Sequence, residues 1–190
     1  MRTNTIKFCT CLAVSLAAIV IAQGKDDRET ATSRVSIDEI RDYRKMFRVN
    51  EKPIDMVEGT KYMCASPMMV YGPHYDPGVV YYINEIARKG TQSFSREKVF
   101  PGGSIIVKEK QERKTEDSVQ IITVMKKVRA GNSEDSWEYK MYDTRKWEEI
   151  DLSKRATTPV TRTCIECHRR YKANDYVSDK GVELLIAKSP

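Results

Sequence analysis

The stretch Phe100-Pro101-Gly102-Gly103-Ser104-Ile105-Ile106-Val107-Lys108-Glu109-Lys110 opens on a Pro-Gly-Gly turn and passes directly into β-branched residues. Proline presets φ for a turn and glycine accepts positive φ, whereas isoleucine and valine are stiff at χ1 and pack well on a pleated surface. The reading is a turn that launches a strand over 104–110. Downstream, 119–127 is a second apolar, β-branched run and the expected antiparallel neighbour. Gly131-Asn132-Ser133 marks another turn, after which 136–142 alternates as a strand. Upstream, Val79-Val80-Tyr81-Tyr82-Ile83 reads as a strand ending at Asn84, followed by a helical stretch over 85–89. Ser36-Ile37-Asp38-Glu39 has the form of a capping box, and Ile37, Ile40, Tyr43 and Phe47 are spaced for one face of a helix ending before Pro53. A short helix over 181–188 closes the chain. The pattern predicts an α+β domain, mainly an antiparallel β-sheet with a few packing helices, without internal repeats or low-complexity tracts.

Close to the C-terminus, Cys164-Ile165-Glu166-Cys167-His168 spells C-x-x-C-H, the attachment signature of a c-type haem. Cysteines three apart lie about one helical turn from each other, so both thiols can reach the two vinyl groups of one porphyrin. His168 then falls beneath the ring with an imidazole nitrogen available to iron. One covalently attached haem c is therefore expected, with Cys164 and Cys167 as attachment points and His168 as the metal ligand. Two readings compete. A thioredoxin-like dithiol lacks the preceding strand-and-helix context, and a zinc site built from Cys164, Cys167, Cys64 and a histidine lacks a second C-x-x-C pair. The chain has two histidines. The other, His74, sits in Tyr71-Gly72-Pro73-His74, where fixing a turn is its expected role. Met68 and Met69 are expected as core filler rather than as a sixth ligand, which leaves five-coordinate iron. Cys64 reads as a buried small hydrophobe or an intermolecular disulfide. Trp137, Trp147 and Tyr139 read as packing residues, and Tyr176, just past the motif, as a residue lining the pocket.

The N-terminus carries Arg2 and Lys7, an apolar run from Phe8 to Ala22, and then an abrupt polar stretch from Gln23 to Glu29. This is the pattern of a secretory signal over 1–22, too short for a spanning helix, with a flexible leader over 23–35 and the haem domain over 36–190. A periplasmic or otherwise exported location follows, and the haem motif implies the same compartment. The formal net charge is +6, and Arg2 and Lys7 leave with the signal. The remaining excess is spread through mixed-sign stretches, which argues for solvated faces and against nucleic acid. It supports at most a weak preference for an acidic redox partner protein.

Small c-type cytochromes are ordinarily all-helical, with the motif near the N-terminus; here it follows several strands. The segment 100–110, Ser136-Trp137-Glu138-Tyr139-Lys140-Met141-Tyr142-Asp143, the C-x-x-C-H motif and Ala173-Asn174-Asp175-Tyr176-Val177 occur in the order seen in the cytochrome P-460 family, which includes the cytochromes c′-beta. The chain resembles that family over roughly 79–177. The resemblance implies one c-haem, a homodimer, and Lys108 at the position of a lysine that is cross-linked to the porphyrin in cytochrome P-460 proper. It also implies a distal carboxylate on the strand before the tryptophan segment. Ile122 stands there and no acid occupies that strand, while Gln120 can hydrogen-bond a ligand but cannot accept a proton. Glu116 or Asp117 in the preceding loop could supply the acid. Two functions stay open: an oxidoreductase that takes hydroxylamine toward nitric oxide or nitrous oxide, and a non-enzymatic nitric-oxide-binding or electron-transfer cytochrome with an apolar cap around Ile122.

Overall fold

The computed structural model describes residues 34–56, 77–97, 99–112, 114, 119–151 and 164–187. The expected signal segment, nearly all of the expected leader, Cys64, Met68, Met69, His74, Glu116 and Asp117 lie outside the described residues. Among those described, seven strands form one sheet in which every pair is antiparallel. They are β1 (Phe47–Arg48), β2 (Ile54–Asp55), β3 (Gly78–Ile83), β4 (Ile105–Gln111), β5 (Val119–Lys127), β6 (Trp137–Asp143) and β7 (Glu148–Glu149). The order is β1-β3-β4-β5-β6-β7, with β2 also pairing β3. Four α-helices accompany them: α1 (Ile37–Ile40), α2 (Glu85–Glu97), α3 (Cys164–His168) and α4 (Asp179–Ala187). The α+β expectation and the antiparallel sheet are met, and the long strands fall within a residue or so of their expected bounds.

The helices differ more. The capping box forms, with Ser36 accepting from the Glu39 N–H and the Glu39 carboxylate accepting from the Ser36 N–H. The helix nevertheless stops at Ile40 and gives way to a 3₁₀ turn over Tyr43–Lys45. Tyr43 is drawn inward to donate its hydroxyl to the buried Glu109, which Arg44 also binds at 2.9 Å. Phe47 and Arg48 are captured by the edge of β3, opposite Ile83 and Tyr82. The local helical spacing thus yields to tertiary pairing. Helix α2 runs eight residues past its expected end at Lys89, through Gly90 and Thr91. Asn84 fixes its start: its side chain accepts from the Ala87 N–H at 2.9 Å and the Ile105 N–H at 3.0 Å, and donates to the Gly103 carbonyl at 2.8 Å. Gly90 is required by close approach, since a Cβ there would lie 2.4 Å from Pro101 Cδ.

Apolar side chains pack on both faces of the sheet. On one face Ile105, Val107, Ile122, Val124 and Tyr142 meet Ile40 and Tyr43 of the N-terminal segment. On the other, Ile83, Ile106, Met125 and Trp137 meet Ala87 and Phe94 of α2, Phe100, and Tyr176, Val177, Val182 and Leu185 from the C-terminal segment. The strand period of two assigns each residue to a face, and this second face is where the C-x-x-C-H segment docks, through Ile165.

Candidate functional site

Helix α3 is a single turn that carries the whole motif, and a 3₁₀ helix over Arg169–Asn174 continues it. Cys164 and Cys167 are half-buried and form no disulfide among the described residues. The chain then reverses through Asp175 (φ +51°) and Tyr176 (φ +64°), two successive left-handed residues. That conformation is tolerated by aspartate more readily than by tyrosine, so the surroundings must hold it. The Asp175 side chain is fully buried and ionically bonded to the equally buried Lys127 of β5 at 2.5 Å. Its second oxygen accepts from the Phe100 N–H at 2.8 Å. Burial raises the Asp175 pKa, and the Lys127 ammonium and the Phe100 N–H pull against it.

This reversal aims the Tyr176 carbonyl at the imidazole: His168 Nδ1 lies 2.6 Å from it. A proton on Nδ1 donated to that carbonyl fixes the ring and leaves Nε2 with its lone pair, the arrangement by which a histidine is prepared for a metal. Burial lowers the His168 pKa, the Tyr176 carbonyl opposes this, and the Lys108 and Arg170 cations push it further down. A neutral imidazole is favoured. Two tyrosines flank the ring, Tyr139 of β6 at 5.0 Å and Tyr171 edge-on at 6.2 Å between centroids.

Lys108 stands on β4, opposite Tyr81 of β3 and Thr123 of β5, and Thr123 stands opposite Met141 of β6. Directly paired residues share a face, so this row lies on the side that α3 covers. Lys108 is close enough to act electrostatically on His168. Lys108, His168, Cys164, Cys167 and Tyr176 are therefore brought to one face, with Tyr176 contributing its carbonyl as well as its ring. Ile122 is not. It pairs with Glu109 and is fully buried in the opposite layer beside Ile40 and Tyr43, one residue out of phase with Thr123. Gln120 is the extra residue of a β-bulge facing the Lys110–Gln111 step, and its carbonyl accepts from the Thr144 N–H at 3.0 Å. Ile122, expected to cap the site, thus lies on the face away from His168, because strand faces alternate at every residue and Thr123 rather than Ile122 is in register with Lys108. Sequence reasoning also missed Lys127 and Asp175; the one available signal was a lysine at an inward-facing position of an otherwise apolar strand.

The donor set fits a c-type haem. Two unbridged thiols one turn apart precede an imidazole whose outer nitrogen is already committed to the backbone. Beside that ring the buried Tyr139 hydroxyl has no hydrogen-bond partner among the described residues, an arrangement that suits packing against a large group with polar edges. Cys164 and Cys167 would carry the porphyrin and His168 would bind its iron.

A C-x-x-C-H turn seated on an antiparallel sheet, with its histidine tied at Nδ1, defines a c-type cytochrome built on a β scaffold. Comparison with known families agrees: the cytochrome P460 family model matches residues 41–178. This chain belongs to the cytochrome P460 family, and it is a c-type haem cytochrome with one covalently attached haem c. No curated protein matches the chain.

Proposed function

We propose that this is an exported oxidoreductase of the cytochrome P-460 type, acting on hydroxylamine or a related small nitrogen compound and oxidising it toward nitric oxide or nitrous oxide. The observation that carries the reading is Lys108. Its place on the face that α3 covers, near enough to His168 to weigh on its charge, suits the porphyrin cross-link that the family resemblance implies. The haem, when bound, supplies a redox-active iron that can accept electrons from a small ligand and pass them to a redox partner protein. The chain's own contribution is positional. His168, tied to the Tyr176 carbonyl, presents Nε2 from below, and Tyr139 and Tyr171 confine its ring. Lys108 with Tyr81, Thr123 and Met141 forms a face of mixed polarity in which Thr123 can donate or accept a hydrogen bond.

The test is hydroxylamine-dependent reduction of an electron acceptor by the haem-loaded protein and by Lys108→Ala. The parent should turn over and the variant should lose that activity, along with any red-shifted ferrous spectrum, while keeping its haem. Turnover by Lys108→Ala at the parental rate would refute the role assigned to Lys108.

A second reading is favoured by one specific feature: the row opposite Lys108 holds Thr123 and Met141 and no carboxylate. Threonine is not a base at neutral pH, and a site of this kind suits nitric oxide better than a substrate that must lose protons. Tight nitric oxide binding without hydroxylamine turnover would select this gas-binding function. In either case we propose a periplasmic, homodimeric protein, and N-terminal sequencing of the secreted product should begin at Gln23.

A further inference from the structure

We infer that the buried Lys127–Asp175 pair is a positioning device for the axial imidazole, acting through the Asp175–Tyr176 turn. Three observations converge. Asp175 is the residue at which the chain reverses after the haem motif, and it and Tyr176 both hold left-handed backbone. The carbonyl that this reversal orients is the one facing His168 Nδ1 at 2.6 Å. The Asp175 side chain is anchored from two sides, by Lys127 Nζ of β5 at 2.5 Å and by the Phe100 N–H of the loop before β4 at 2.8 Å. Lys127 is itself steadied by Ser136 Oγ at 3.1 Å and by the Trp137 ring, whose centroid is 5.0 Å from its Nζ.

The turn closes locally as a helix C-cap, with the Asp175 N–H donating to the Lys172 carbonyl at 3.1 Å and the Tyr176 N–H to the Tyr171 carbonyl at 2.9 Å, but these bonds must hold a tyrosine at positive φ without glycine, and the tertiary anchors of Asp175 add to them. The strength and direction of the Nδ1–H bond set how basic Nε2 is, and hence how firmly the histidine binds iron. The charge pair, acting through the Tyr176 carbonyl, thereby sets how the His168 imidazole is presented to the iron.

The inference rests on His168 being the iron ligand, and the experiment separates the two. Resonance Raman spectra of the ferrous, haem-loaded protein report the iron–histidine stretching band. A parent protein without that band would overturn the five-coordinate ligation by His168 on which the inference rests. Given the band, Asp175→Asn and the double variant Lys127→Met with Asp175→Leu are compared with the parent, with covalently bound haem quantified and folding followed by circular dichroism. The double variant removes both charges together and leaves neither buried alone. Both variants should retain thioether-linked haem, with the band shifted to lower frequency or broadened. An unchanged band in either folded variant overturns the inference. So does failure of both variants to fold, because the pair would then serve the whole domain rather than this turn.

Discussion

His168 owes its readiness to two neighbours of different kinds: a carbonyl that takes the Nδ1 proton and a buried setting that disfavours a second proton on the ring. The first depends on Asp175 and Lys127 staying paired, with each side chain fully buried. A buried ion pair need not stabilise a fold more than an apolar pair would, but removing one partner strands the other charge. Lys127→Met should therefore cost about 3–5 kcal/mol in chemical denaturation. A midpoint within error of the parent would show that Asp175 is not buried as a carboxylate. The motif cysteines and His168 could be singled out from the chain because their meaning resides in local spacing, whereas Lys108 was singled out through the family resemblance. Asp175 with Lys127 was not, since the two meet across 48 positions and only the folded sheet brings them together. Ile122 against Thr123 shows the other limit: a strand's faces alternate at every residue, so a displacement of one moves a side chain to the wrong layer.

Helix boundaries record where local preference gives way to packing. The first helix has its capping box yet ends after four residues, because Tyr43 and Phe47 gain more from Glu109 and the edge of β3 than from another turn. Its surviving turn is held to the sheet by Glu39, which meets Lys126 Nζ at 2.6 Å. Burial works to raise the Glu39 pKa, but the Lys126 and Ser36 hydrogen bonds and the Lys126 charge hold it below its ordinary 4.5. A carboxylate whose folded pKa is depressed adds stability above its unfolded pKa, and that stability is lost as pH falls through the folded value. Glu39→Gln should thus lower stability at neutral pH by about 1 kcal/mol or less, given that Glu39 is partly exposed, and flatten the acid side of the stability profile below 4.5. An acid limb as steep as the parent's would contradict this. In α2 the apparent helix breaker Gly90 is instead the point at which the helix rides over Pro101. Gly90→Ala should destabilise by about 1–3 kcal/mol, against the gain expected for alanine in an unconstrained helix. A raised melting temperature in this variant would show that the Pro101 contact is looser than described.

The domain works as a rigid antiparallel sheet with unlike layers. One face is closed by the N-terminal segment, whose Ile40 and Tyr43 pack on Ile122, and Glu109 inside it accepts from the Tyr43 hydroxyl and pairs with Arg44. The other receives the C-terminal turn, so that a motif late in the chain is placed against Lys108 of a strand more than fifty residues earlier. The fold class was legible because strand alternation and turn residues are local signals repeated along the chain. Which face would receive the haem turn was not, because both faces are apolar and only the docking of Ile165, Tyr176 and Leu185 distinguishes them. The proposed function requires that Cys164 and Cys167 tether one porphyrin on the face that Lys108 shares, and that Lys108 is bonded to it. Mass spectrometry of the trypsin-digested holoprotein addresses this directly. A single haem-bearing species should unite peptide 163–169 with peptide 99–110, left uncut at Lys108. Haem released by acidified acetone, or a haem peptide of 163–169 alone beside a free peptide ending at Lys108, would contradict it.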